Sequence, residues 1–190
     1  MPRDPEIPTR FALDLFGEQP EMLRLAKIVT DVSGWPMVGG IAVFLHGYAR
    51  TTQNFDIYTS DTLATHEKLI AASIRFDARH KEHVIQGVAI HMVGDDSLGG
   101  PPKRTSTIRG VKVVGLADLV RGKLTVGTTS MNRAKDIADV IEPVRALPLK
   151  KDSAPKLPKH LRPAFKVLVE QVHEPRRTPI PTLQFWKKYA

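Results

Sequence analysis

The chain has 190 residues, of which 42% are apolar and 25% are charged, and its formal charge is +8. This length favours one domain with a substantial core, and the composition is ordinary for a globular protein. The absence of cysteine excludes disulfides and thiolate metal sites, and with no apolar run of ~20 residues and no signal-like N-terminus we expect a cytoplasmic protein.

Hydrophobic spacing predicts alternating helices and strands in the N-terminal half. Ser33-Gly34 ends the first helical pattern, and Asp61 is a suitable N-cap for a later one. The predicted elements are a helix over 20–32, a strand over 35–38 running into Gly39-Gly40, a buried helical turn over 41–45, a strand over 54–59, a helix over 61–77 and a strand over 83–93.

The C-terminal half is predicted to be mostly helical. Its elements are a loop over 95–103, a hairpin over 107–114, helices over 116–126 and 133–147 joined by a turn at 127–130, a linker over 148–158, a helix over 159–173 and a proline-rich arm from residue 174. This order predicts an α+β fold with a small mixed sheet flanked by helices. We expect one domain over 1–147, followed by a basic C-terminal linker, helix and arm over 148–190.

The positive charge is concentrated at the C-terminal end. Residues 150–190 carry ten basic and three acidic side chains, which is +7 of the total of +8. Such a segment can attract nucleic acid, or it can be a solvated extension that aids solubility. A third interpretation packs the helix over 159–173 on the core through Leu161, Phe165, Leu168 and Val172.

The glycine pair Gly39-Gly40 is the first candidate for a ligand-binding site. Glycine lets backbone N–H groups approach a phosphate closely, although a simple turn is the commoner explanation of a glycine pair taken alone. Asp56 lies on the following strand, flanked by Phe55 and Ile57, so alternation places its carboxylate on the face opposite these apolar side chains. A carboxylate beside a glycine turn is typical of sites for a metal-bound nucleoside triphosphate.

The two later helices add charged candidates. Lys123 shares a helix face with Leu119 and Val120, so it either snorkels from a helix end or projects to a ligand. Asp136 borders an apolar stripe, where it can orient Lys123 or Arg133 or simply favour the helix dipole, and Asp139 is expected nearer to solvent. The seven histidines show no metal-binding spacing, and His46, His66, His80 and His83 are expected to be structural or surface residues.

Several short motifs together resemble those of the minimal nucleotidyltransferase superfamily. The stretch is most similar to small bacterial abortive-infection type toxin nucleotidyltransferases, whose glycine turn is followed by an Asp-x-Asp strand. The resemblance covers roughly residues 20–147 and consists of Gly39-Gly40, His46-Gly47, Arg50, Thr52, Asn54-Phe55-Asp56-Ile57, LADLVRGKL over 116–124 and RAKDIADV over 133–140.

The resemblance implies a nucleoside triphosphate bound with Mg²⁺ or Mn²⁺ and transfer of a nucleotidyl group to an RNA or protein hydroxyl. It implies the following roles: nucleotide binding by Gly39, Gly40, Arg50, Thr52, Lys123 and Arg133; metal binding by Asp56, Asn54 and His91; and catalysis by Asp56, Asn54, Lys123 and Asp136. We therefore expect Asn54, Asp56 and His91 to converge on one cleft beside the glycine pair.

Two residues depart from the family pattern. Asn54 stands where the first carboxylate of Asp-x-Asp is expected, and His91 stands on the strand that is expected to supply the third. An amide is neutral and imidazole is a poor ligand for Mg²⁺, so metal affinity is expected to be low. The alternatives are therefore a catalytically inactive nucleotide- or RNA-binding module and an interaction partner in a toxin–antitoxin system.

Overall fold

The computed structural model describes residues 20–48, 52–129, 134–146 and 149–173. Its regular elements are α1 (Pro20–Ser33), β1 (Met37–Val38), α2 (Gly39–Leu45), β2 (Asn54–Tyr58), α3 (Thr62–Ala71), β3 (Arg75–Asp77), β4 (Glu82–Ile85), β5 (Val88–Val93), α4 (Asp95–Leu98), β6 (Thr105–Ile108), β7 (Val111–Val114), α5 (Leu116–Thr129), α6 (Ala134–Ala146) and α7 (Arg162–His173), with 3₁₀ turns at Lys151–Lys156 and Lys159–Leu161. None of the helices in these ranges has the length and apolar character needed to cross a bilayer.

The strands form one mixed sheet of seven, in the order β3-β4-β5-β2-β1-β7-β6. Strand β2 lies at its centre, antiparallel to β1 and parallel to β5. Helices pack on this sheet, so the predicted α+β fold is confirmed.

Alternation along β2 divides the sheet into an apolar face and a polar face. Phe55 and Ile57 are fully buried, and they pack in one cluster with Leu25 and Val29 of α1 and Leu69 of α3. The intervening residues of β2 therefore point to the other face of the sheet. This face, rather than the main core, is where the predicted site residues can meet.

The helix predicted over 61–77 is wrong beyond Ala71. The chain reverses at Ser73, whose φ is +61°, and the Ile74 N–H then bonds to the Leu69 carbonyl at 2.9 Å. Residues 75–77 form β3 instead. Helical periodicity did not reveal this reversal because serine is not a strong stop signal.

The single strand predicted over 83–93 is two strands. Gln86 and Gly87 both have positive φ, +48° and +82°, and connect β4 to β5 as a tight hairpin. This turn conformation suits right-handed strand twist. Gln-Gly is a weaker signal for it than Asn-Gly, so the sequence pattern missed the turn.

Three other segments, predicted to be irregular, contain helical structure. The segment predicted as a turn at 127–130 is helical through Thr129, where Gly127 lets Ile137 of α6 pack closely against α5. Residues 95–98 of the predicted loop form the short helix α4. The predicted linker contains the 3₁₀ turn over 151–156.

The C-terminal helix packs on α5 and α6, as one of the three interpretations of this segment expects. Phe165 and Leu161 are buried in a cluster with Val120 and Val140, and Val169 joins them. The predicted contacts Leu168 and Val172 are only partly buried at its border. The proline-rich arm from residue 174 lies outside the described residues, and the boundary at 147/148 stays a prediction.

The buried His83, which pairs with the partly exposed His66, makes the stability of this fold sensitive to pH. His83 on β4 is fully buried, and its Nε2 lies 3.0 Å from His66 Nδ1, with Phe76 packed against both rings. Burial, followed by the neighbouring His66, lowers the pKa of His83, while the Ile74 carbonyl opposes this shift. Protonation therefore favours the unfolded chain.

We expect the contribution of His83 to the free energy of unfolding to be constant above pH ~6.5, where unfolded histidine is neutral, and to fall as the pH drops below it. One proton accounts for at most about 1.4 kcal/mol per pH unit. Urea denaturation at pH 8 and pH 5 measures this loss. His83→Gln should reduce the loss, whereas the same change at the exposed His80 should not; equal losses in all three proteins contradict the assignment.

Candidate functional site

A cleft of about 620 Å³ opens between the polar face of the sheet and helices α5 and α6. The described residues that were predicted to form the site all line this cleft: Gly39, Gly40, Thr52, Asn54, Asp56, His91, Lys123 and Asp136. Arg50 and Arg133 lie outside the described residues. The predicted convergence is therefore confirmed, while the role of each residue stays a prediction.

The central strands bring the first three polar groups together. Asp56 on β2 is in register with His91 on β5, and Asn54 lies on the same face two residues before Asp56. The amide nitrogen of Asn54 donates to His91 Nδ1 at 2.8 Å, and an Asp56 carboxylate oxygen lies 3.4 Å from the same Nδ1. Thr52 supports this group, since its hydroxyl donates to the Asn54 carbonyl at 2.9 Å.

Glu82 is a fourth member of this group that the sequence reasoning missed. Its carboxylate lies 3.1 Å from His91 Nε2. The hairpin explains this contact, because the antiparallel pair His83–Ile90 places Glu82 next to His91. Since Nδ1 accepts from Asn54, the ring proton is on Nε2 and is donated to Glu82.

The glycine turn approaches Asp56 very closely. Gly39 follows β1 directly, and Val38 at the end of that strand is paired with Asp56. Gly39 has a φ of +60°, and a Cβ added to it would lie 2.0 Å from an Asp56 carboxylate oxygen. Only glycine fits at this position, both for its backbone conformation and for the space beside the carboxylate.

Lys123 is held by two carboxylates at the opposite wall of the cleft. Its Nζ donates to Asp136 at 2.6 Å and lies 2.9 Å from Asp139. The side chains of Lys123, Asp136 and Asp139 are only 14%, 8% and 4% exposed. The predicted pairing of Asp136 with Lys123 is confirmed, whereas the expectation that Asp139 lies nearer to solvent is wrong, because Lys123 draws it inward.

We expect Lys123→Met to lower the free energy of unfolding by about 3–5 kcal/mol, because it removes the cation between two buried acids. Chemical denaturation at pH 7 measures the change. Lys27 offers a matched control, since it pairs with Asp31 on the exposed surface of α1, and Lys27→Met should change stability by less than about 1 kcal/mol. Equal effects of the two substitutions contradict a structural role for the buried triad.

A buried arginine fixes the loop beside the cleft. Arg121 on α5 donates to the carbonyls of Leu98, Gly100 and Pro101 at 2.7–2.8 Å and pairs with Asp118 at 3.2 Å. Asp118 in turn accepts the backbone N–H groups of Lys103 and Arg104. Because Leu98 lines the cleft, this network holds one wall in place.

The charges of the cleft favour a divalent cation over a bare polyanion. Among the described residues, its lining carries Asp56, Asp136 and Lys123, a net charge of −1 when histidine is counted as neutral, while Glu82 contacts His91 and Asp139 contacts Lys123. A triphosphate alone is repelled by this arrangement, whereas a cation is attracted.

The donor groups fit such a cation only in part. Asp56 supplies a carboxylate, Asn54 an amide oxygen and His91 a ring nitrogen. Within the described ranges no three side chains of His, Cys, Asp or Glu converge on one point. The described side chains therefore leave part of the coordination shell of a bound ion to water or to the phosphates of a nucleotide.

Comparisons with known proteins do not assign a relationship: no family model matches this chain, and no curated protein matches it either. The functional interpretation therefore depends on the geometry of the cleft.

Proposed function

We propose that the cleft binds a nucleoside triphosphate together with a divalent metal ion. The observation that carries this proposal is the packing of Gly39, in a left-handed conformation, against the Asp56 carboxylate. This arrangement brings a backbone free of side-chain atoms next to an acidic metal ligand, in a cleft of about 620 Å³. Pockets of about 300–1,000 Å³ are typical of small-molecule sites.

The residues of the cleft divide into three roles. Asp56 and His91 hold the metal with Asn54, and the metal neutralises phosphate charge. Gly39 and Gly40 let the phosphates approach the backbone. Lys123 lines the cleft and has three donors, two of which go to Asp136 and Asp139. The third donor would bind the triphosphate, with the two acids as positioning residues.

The reaction that such a complex supports is nucleotidyl transfer. An acceptor hydroxyl of RNA or protein attacks the α-phosphorus, the bond to the bridging oxygen breaks, pyrophosphate leaves and the hydroxyl proton passes to solvent or a base. Binding without transfer is the second candidate, and the presence of Asn54 and His91 in place of carboxylates favours it. A double variant, Asn54→Asp with His91→Asp, should raise metal-dependent transfer if these two residues limit it.

Calorimetric titration with ATP, GTP, CTP and UTP tests the proposal. We expect at least one triphosphate to bind when Mg²⁺ or Mn²⁺ is present and none to bind in EDTA, since the cleft itself is negatively charged. Asp56→Ala should weaken this binding at least 100-fold. Glu67→Gln on the exposed surface of α3 is the control, and it should bind like the wild type.

Two results contradict the proposal. One is the absence of binding for all four triphosphates with either metal. The other is binding that persists in EDTA or in Asp56→Ala, which places the ligand elsewhere. In either case RNA binding through the basic residues from 150 onward becomes the better hypothesis.

A further inference from the structure

We propose that His91, oriented by Glu82, makes the metal position of this cleft selective for first-row transition ions such as Co²⁺ and Zn²⁺ over Mg²⁺. The inference rests on the proposed function in one respect only, which is that a triphosphate binds beside this ion. It concerns the identity of the ion and the part that Glu82 has in binding it.

The orientation of the His91 ring is the first observation. Its Nε2–H donates to Glu82 at 3.1 Å, which leaves the Nδ1 lone pair to accept from the Asn54 amide, with an Asp56 oxygen 3.4 Å from the same nitrogen. A histidine that ligates a metal through one nitrogen commonly donates its other N–H to a carboxylate, which fixes the ring and increases its basicity. Glu82 and His91 already have this arrangement.

The spacing of the two ligand atoms is the second observation. His91 Nδ1 and the Asp56 oxygen are 3.4 Å apart. Two atoms that each lie roughly 2.1 Å from a tetrahedral ion are also roughly 3.4 Å apart, so the pair can share one ion of the zinc class. In the ion-free protein the Asn54 amide nitrogen donates to Nδ1, and metal binding replaces this hydrogen bond.

The chemistry of the donors decides the preference. Mg²⁺ prefers oxygen ligands in near-ideal octahedral geometry, whereas imidazole suits zinc and its neighbours. The His91 nitrogen therefore adds affinity for transition ions and little for Mg²⁺. A carboxylate at the same place on β5 would favour Mg²⁺ instead.

Metal titration of the full chain without an affinity tag tests this inference. We expect the ratio of Co²⁺ to Mg²⁺ affinity to fall at least tenfold in His91→Asp, and the visible absorption of bound Co²⁺ to change because a nitrogen ligand is lost. Glu82→Gln should weaken Co²⁺ and Zn²⁺ binding about 10–100-fold. His80→Gln and Glu67→Gln, both at exposed positions, are the controls for metal binding elsewhere on the surface.

Each result is decisive without reference to catalysis. Unchanged Co²⁺ affinity and spectrum in His91→Asp, or a Glu82→Gln protein that binds Co²⁺ like the wild type, overturn the inference. Nucleotide binding with Mg²⁺, combined with Co²⁺ affinity that neither substitution changes, also overturns it and leaves the proposed function standing. If the protein binds Co²⁺ selectively through His91 but binds none of the triphosphates, the metal site is supported and the proposed function is contradicted.

Discussion

Replacing Gly39 by alanine should abolish metal-dependent nucleotide binding and destabilise the protein by about 2–4 kcal/mol. Two costs combine at this position: the left-handed backbone at a φ of +60°, and a Cβ that would lie 2.0 Å from the Asp56 carboxylate. Relief of the clash has to move Asp56 or the end of β1. Either movement displaces the proposed metal ligand from the glycine turn.

A glycine elsewhere separates these two costs. Gly87 has a φ of +82° and nothing within 4 Å of an added Cβ, so Gly87→Ala carries the backbone strain without the clash and should bind nucleotide normally. The double variant Gly39→Ala with Asp56→Ala should be more stable than Gly39→Ala alone, because the two closest contacts are removed and only the position-56 Cβ stays at 3.0 Å, yet it should not bind. Thermal melting and calorimetry together measure these effects, and normal nucleotide binding by Gly39→Ala contradicts the proposed site.

Replacing Phe165 by alanine should lower the free energy of unfolding by about 3–5 kcal/mol. Phe165 is 2% exposed and lies in the cluster shared by α5, α6 and α7. Its removal leaves a cavity in the cluster that contains Val120 and Leu124, which both lie within one helical turn of Lys123 on α5. The C-terminal segment is thus expected to support the fold as well as to carry charge.

Val167 on the same helix is the matched control. It is 51% exposed, so Val167→Ala removes apolar volume without creating a buried cavity and should change stability by less than about 0.5 kcal/mol. Urea denaturation at pH 8 measures both variants. A small effect of Phe165→Ala, similar to that of Val167→Ala, contradicts the packing of this helix on the rest of the protein.

Much of the fold could be predicted because local patterns and tertiary packing agree. Alternation around Phe55 and Ile57 identified the central strand and the face of Asp56 correctly. The hairpin at Arg109-Gly110 was also predicted, and both residues have positive φ. Two of the errors fall at reversals where the sequence lacks strong turn residues, at Ser73 and at Gln86.

The candidate site could be predicted as a set of residues but not as a set of contacts. Asp139 belongs to the buried triad because Lys123 on another helix pairs with it, and helix periodicity contains no information about that partner. Glu82 contacts His91 only because residues 82–93 form a hairpin. Both omissions are polar contacts between two different secondary-structure elements. The periodicity of one helix or strand cannot predict them.

A crystal grown with Mn²⁺ and a non-hydrolysable nucleoside triphosphate tests the central claim most directly, since anomalous scattering locates the manganese independently of the protein atoms. We predict one manganese peak within bonding distance of the Asp56 carboxylate, with the phosphates lying between Gly39 and Lys123. A nucleotide bound elsewhere, or a cleft that holds manganese at a position remote from Asp56, would contradict the account.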